Sequence, residues 1–202
     1  MLDRGWNTIV CAASGPSLTA DQADVVAAAQ TRGRCRVIAV NNTWRMFPNA
    51  DVLFAADDRW WAEHLGEVEA HGFGGELWTS WEASAKRHGI CAVRSMLGDG
   101  LPRDPDCIAR GGNSGHQAIA LAARFGATRI ILVGYDMQRT SGRLHWHDDH
   151  QRPLTNGDPA AWLPRFGPLA ADLEAAGVEV VNASLSTALT VFPRADLVEA
   201  LT

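Results

Sequence analysis

The stretch GYDMQRTSGRLHWHDDHQ gathers most of the chemistry-bearing side chains of this chain. His145, His147 and His150 interleave there with Asp148 and Asp149. An imidazole titrates near neutral pH, so any of these three catalytic candidates can take a proton from a hydroxyl as a general base. In extended backbone His145 and His147 point the same way, because successive side chains alternate. Two or three His beside an Asp also make a ligand set for a divalent metal, and a solvated loop is a third reading. No His pair has the i, i+4 spacing of a helical metal site. Asp136 follows the most apolar run of the chain, TRIILVGYDM, where a carboxylate can hold a ribose hydroxyl or a cation. Tyr135, the single tyrosine, lies beside it.

Four further stretches could bind a ligand. In ASGPSL, Gly15 permits close backbone approach and Pro16 stiffens the turn. With Ser14 and Ser17 it opens a helix whose first N–H groups lack intrahelical partners, which is how an anion site is built. A plain strand-to-helix turn accounts for it equally well. RGGNSGHQ repeats the logic: Gly111 and Gly112 loosen the backbone, Asn113, Ser114 and Gly115 lead into a helix, and Ser114 with Gln117 has capping-box spacing. Asn41 and Asn42 carry amides that can donate and accept toward a base or ribose, or simply shape a turn. Asp57 and Asp58 precede another helix, so one caps it and the other is left to face ligand or water. Neither a G-x-G-x-x-G nor a G-x-x-x-x-G-K-[ST] pattern occurs, which sets aside a Walker-type nucleoside triphosphatase. His64, His71, His88 and His116 read as surface or packing residues. Asn182, Ser184 and Ser186 read as turn residues that could also close a pocket from the far side.

These stretches must be held by the elements between them. NTIVCAA, RVIAVNN, ADVLFAADD, GELWTS, GICAVRS, TRIILVGYDM and VEVVNAS read as strands. Between them, TADQADVVAAAQTRG, DRWWAEHLGEVEAHG, NSGHQAIALAARFG and the proline-interrupted AAWLPRFGPLAADLEAAG read as helices. The first of these opens with a capping box, Thr19 and Gln22. Strand and helix in alternation predict parallel strands joined by crossovers. The expected fold is therefore a three-layer, doubly wound α/β domain over residues 1–202, with a mostly parallel, Rossmann-like sheet. Ligands of such sheets collect beyond the carboxyl ends of the strands, where the polar stretches above fall.

The 202 residues carry a formal charge of −5, with 18 Lys and Arg against 23 Asp and Glu, so no broad positive field exists to grip an extended nucleic acid. No apolar run reaches the length of a membrane helix, and MLDRGWNTIV lacks the pattern of a secretory signal. Cys11, Cys35, Cys91 and Cys107 form no C-x-x-C pair and read as buried thiols of a reducing compartment. A cytoplasmic location is expected, the host cytoplasm if a phage encodes the chain.

The order of ASGPSL, NN and GGNSGHQAIALAARFGATRIILVGYDM resembles the sialyltransferase-like group. There a G-P-S-L turn, an Asn after the second strand and a T-S-G-type loop enclose a cytidine nucleotide-sugar. The chain is similar too to the related DUF115 proteins, which include archaeal 6-hydroxymethylpterin diphosphokinases, and to short bacteriophage proteins. This resemblance implies a small-molecule nucleotide or nucleotide-sugar donor and transfer of a sugar or similar group to a hydroxyl acceptor, with a histidine as base. The alternatives it carries are an ATP-dependent diphosphokinase, with Mg²⁺ or Mn²⁺ bridged by Asp57, Asp58 and Asp136, and a non-catalytic nucleotide-binding phage protein. Ser14 and Asn113 stand where the group often has Asn and Thr.

Overall fold

The computed structural model describes residues 2–148 and 157–202. Strand β1 (Thr8–Ala12) leads to helix α1 (Ala20–Thr31) and β2 (Arg36–Val40), then β3 (Val52–Phe54), α2 (Asp58–Ala70), β4 (Glu76–Thr79), α3 (Glu82–His88) and β5 (Cys91–Ala92). The chain continues through β6 (Arg94–Met96), β7 (Cys107–Ala109), α4 (Ser114–Arg124) and β8 (Arg129–Val133). It ends with α5 (Pro159–Trp162), α6 (Phe166–Ala175), β9 (Glu179–Asn182) and α7 (Leu197–Ala200).

Seven strands form one sheet in the order β5-β4-β3-β2-β1-β8-β9, every neighbouring pair parallel. The central strands are buried on both faces, which is why TIVCA, RVIAV and RIILV are apolar runs without polar alternation. Ile9, Cys11, Ile38, Val40, Ile130 and Leu132 face a core shared with α4 and α6. Val10, Ala12, Val37, Ala39, Ile131 and Val133 face the opposite core, filled by Val26 of α1 and Trp60, Trp61 and Val68 of α2. This is the three-layer α/β architecture expected.

Three local expectations are corrected. GICAVRS is not one strand: β5 ends the main sheet, and β6 leaves it to pair with β7, whose three residues CIA are too few to show a period. The single helix expected over AAWLPRFGPLAADLEAAG, interrupted by its prolines as read, is two helices, α5 and α6, parted by a 3₁₀ turn at Leu163–Arg165, since Pro164 cannot donate an interior helical bond. Cys91 is exposed, on a two-residue edge strand, whereas the other three thiols are buried; all four cysteines are free.

The strand order reverses between β1 and β8. From β1 the chain runs outward to β5, then returns through α4 to place β8 on the other side of β1. The chain leaves β1 toward one edge of the sheet and β8 toward the other, and a crevice lies beyond the carboxyl ends of the strands.

Candidate functional site

A cavity of about 480 Å³ occupies that crevice. Its wall takes Ser14 and Gly15 after β1, Asn41 after β2, Asp57 after β3, Trp81 after β4, Gly112 to Gly115 and Gln117 around the start of α4, Tyr135 and Asp136 after β8, and His145. Gly157, Pro159 and Trp162 line it as well. The polar stretches read at the strand ends thus converge on one place.

The turn at Gly15 does a different task from the one its sequence invites. Its N–H donates to the Gly134 carbonyl at 2.7 Å, the Leu18 N–H to the Gly15 carbonyl at 3.1 Å, and the Ser17 N–H to Asp136 Oδ2 at 3.0 Å. A Cβ at residue 15 would stand 2.2 Å from Asp136 Oδ1 and 2.4 Å from the Gly134 carbonyl oxygen. The glycine lets β1 and β8 approach at their ends, and these three donors are spent on the protein itself. Pro16 and Ser17 do not line the cavity, and the Ser17 hydroxyl donates to Asp136 Oδ1 at 2.6 Å.

Asp136 is accordingly a brace. Besides both Ser17 donors it accepts from the Thr140 hydroxyl at 2.6 Å, and it is almost wholly buried. Burial pushes its carboxyl above the usual range, partly offset by those hydrogen bonds. Tyr135 lines the cavity with its ring while its hydroxyl donates to the Gly115 carbonyl at 3.0 Å. Burial raises that phenol well above its ordinary value. Asn182 and Ser184 support the same corner from behind, the Ser184 hydroxyl accepting the Tyr135 N–H at 2.7 Å.

The α4 terminus is the open one. Asn113, not Ser114, is its N-cap, with Oδ1 accepting the His116 N–H at 2.9 Å. Ser114 lies in the first turn, where its hydroxyl accepts the Ala56 N–H at 3.1 Å and ties α4 to the end of β3. Gln117 does not close a capping box either: its Nε2 donates to the Arg110 carbonyl at 2.7 Å. At α1 the box is likewise half made. Thr19 Oγ1 accepts the Gln22 N–H, but the Gln22 amide donates to the Ala183 carbonyl.

Three amides of the cavity wall keep one buried polar atom each without a partner: Asn41 Oδ1, Asn113 Nδ2 and Gln117 Oε1. Buried polar groups are normally paired, so three orphaned amide atoms along one wall set this part of the cavity apart. Asn41 also holds φ +50°, a left-handed backbone that costs free energy for a residue with a Cβ and recurs at functional sites. Gln117, read from sequence only as a cap, is a residue of the cavity wall that sequence reasoning missed, as is Gln138. For Gln117, its position one helical turn after Asn113, on the same face, was the available signal.

Asn42 turns away from the cavity. Its Oδ1 accepts the Trp60 indole N–H at 2.8 Å, and its Nδ2 lies 3.5 Å from His147 Nδ1. His145 and His147 do point the same way, with parallel rings 4.9 Å apart. His145 lines the cavity and His147 stands behind it, its Nδ1 2.6 Å from the Asp148 carbonyl. His150 lies outside the described residues.

Asp57 caps α2 by accepting the Arg59 N–H at 2.9 Å while lining the cavity. Asp58, the other carboxylate of the pair, faces neither ligand nor water alone but pairs with Arg87 and His88. Among the described residues, no three His, Cys, Asp or Glu side chains stand together as a metal site, and no helix is long and apolar enough to cross a membrane.

No protein-family model matches the chain, and no curated protein matches it. Among solved structures, its fold is similar to that of the sialyltransferase CstII from Campylobacter jejuni in complex with a substrate analogue, cytidine-5′-monophosphate. The TM-score is 0.59 at 13% identity, over 95% of this chain and 86% of that one.

Proposed function

We propose that this chain is a nucleotide-dependent transferase of the glycosyltransferase type, moving a sugar or similar group from a nucleotide-activated donor to a hydroxyl acceptor. The observation that carries the reading is the set of unpartnered amide atoms on Asn41, Asn113 and Gln117 around one switch-point cavity. Such atoms fit the mixed donors and acceptors of a nucleoside. Its phosphate belongs on the first turn of α4, at Asn113 to Gly115, where backbone donors and the helix dipole favour an anion. The turn at Gly15 shapes the same cavity without gripping the phosphate. The likeness in fold to a sialyltransferase bound to a cytidine nucleotide supports the same class of ligand.

In the reaction, the acceptor oxygen bonds to the transferred carbon while the bond from that carbon to the phosphate oxygen breaks. The electron pair of that bond leaves on the phosphate. The hydroxyl proton passes to an imidazole, and of the two described candidates His145 is the one in the cavity wall. His147, stacked on it, orients that ring.

Thermal melting with CMP, UDP, GDP and ATP, each with and without Mg²⁺, tests the reading. A nucleotide at about a hundred times its dissociation constant adds about 2.7 kcal/mol, several degrees for a chain of this size. A panel without any shift would refute nucleotide binding. A shift confined to ATP with Mg²⁺ would assign the diphosphokinase alternative, and binding without turnover of any nucleotide-sugar the non-catalytic one.

A further inference from the structure

The cavity wall contains no Lys or Arg among the described residues, and Asp57 and Asp136 are acidic residues in it. A phosphate there would depend on the dipole of α4, worth about half a charge. One cation stands at the right place without lining the cavity. Arg165 lies across Gly112, the residue before the α4 N-cap. A Cβ at residue 112 would be 3.0 Å from Arg165 Cδ, 3.1 Å from its Nε and 3.1 Å from Trp162 Cδ1. Gly112 has φ +85° and no side chain, so the 3₁₀ turn carrying Arg165 can rest directly on the loop that opens α4.

The main chain of Arg165 is pinned and its side chain is not. The buried His116, in the first turn of α4, donates Nε2–H to the Arg165 carbonyl at 3.2 Å and to the Asp99 carbonyl at 2.9 Å, with Phe166 against its ring. The guanidinium meets Asp99 Oδ1 through one nitrogen at 3.1 Å, and the side chain is 47% exposed. A single-contact, half-exposed ion pair is weak and easily exchanged. A guanidinium is a planar fork that takes a phosphate with two parallel hydrogen bonds. Gln117 supplies the separate sign of a ligand at this end of the cavity, being 5% exposed with Oε1 unpartnered.

We propose that Arg165 is the anion clamp of this site, giving up Asp99 for the phosphate that α4 holds and stabilising the charge that builds on it as the transferred group leaves. His116 is the positioning residue that fixes the clamp's backbone. The inference rests on the nucleotide reading above and extends it to how an anionic leaving group is met.

Isothermal titration of the full chain with inorganic pyrophosphate, with each nucleotide of the panel and with cytidine tests it, on wild type, Arg165→Gln, Arg165→Lys and Asp99→Asn. Arg165→Gln is expected to weaken every phosphate-bearing ligand roughly 10- to 100-fold and to leave cytidine unchanged, since one charge-assisted contact is lost. Arg165→Lys should fall between, keeping the charge without the fork, and Asp99→Asn should bind severalfold tighter because the competing carboxylate is gone. Melting curves establish that the variants fold. Wild-type affinity for pyrophosphate and nucleotides in Arg165→Gln would overturn the clamp. Pyrophosphate binding that depends on Arg165, with no nucleotide bound, would keep the clamp and refute the nucleotide reading. Binding of neither would refute both.

Discussion

Replacing Gly15 by Ala tests whether the turn after β1 is a packing device. The added Cβ would meet Asp136 Oδ1 at 2.2 Å, the Gly134 carbonyl oxygen at 2.4 Å and Asp136 Cγ at 2.7 Å. None of these is the free end of a flexible chain: Gly134 is backbone, and Asp136 is held by Ser17 and Thr140. Relief requires the ends of β1 and β8 to separate, which stretches the 2.7 Å bond from Gly15 to Gly134 and the donors on the Asp136 carboxylate. Overpacking costs about 1–3 kcal/mol and a hydrogen bond to a charged group about 1.5–3, so about 2.5–6 kcal/mol in all. In a chain of this size that lowers Tm by roughly 10 °C. Gly66→Ala is the matched control. Gly66 lies inside α2 with nothing within 4 Å of its Cβ position, so the same methyl should add about 0.5–1 kcal/mol through helix propensity. Thermal unfolding followed by circular dichroism measures both. A Gly15→Ala variant melting within about 2 °C of wild type would refute the packing argument.

Burial holds the His116 imidazole below its ordinary pKa, against the opposing pull of the Asp99 and Arg165 carbonyls and of the Asp99 carboxylate. A depressed folded pKa stabilises fully above the unfolded value of about 6.5 and is lost as pH falls through the folded one. The stability lead of wild type over His116→Gln should therefore be widest near pH 8 and shrink toward pH 5, as read by denaturant titration at each pH. A maleimide should label Cys91 in the native chain and spare Cys11, Cys35 and Cys107 until denaturant is added, as peptide mapping will report. With a turned-over donor in hand, His145→Gln should cut single-turnover rate by about 10²-fold or more while leaving donor affinity near wild type. His147→Gln should cost less, and an unaltered rate in His145→Gln would remove that residue from the chemistry.

The alternation of elements was legible because apolar period and Gly punctuation are local. TIVCA, RVIAV and RIILV announce strands buried on both faces, and Gly33, Gly72 and Gly126 mark helix ends in αL backbone. What failed was short or competitive. CIA has too few residues to display a period, and Cys91 looked buried because its neighbours are apolar although its strand lies at the sheet edge. Ser114 and Gln117 had the spacing of a capping box. Asn113 took the cap, the Ser114 side chain found Ala56, 58 residues away, and that of Gln117 found the Arg110 carbonyl in the loop before the helix, partners that no capping rule contains.

By itself, then, the sequence determined the fold class, the strand ends as the place to look, and the residue types available there, since these follow from local periodicity and the topology of parallel crossovers. Only the tertiary structure decided which polar groups remain for a ligand. Gly15 and Ser17 look as ready for a phosphate as Asn113 and Gly115 do, yet Gly134 and Asp136, just past β8, lie against that turn and take its donors, whereas the start of α4 opens on the cavity. An N–H spent on the protein is no longer free for a ligand, and whether it is spent is fixed here by the packing of segments more than a hundred residues apart.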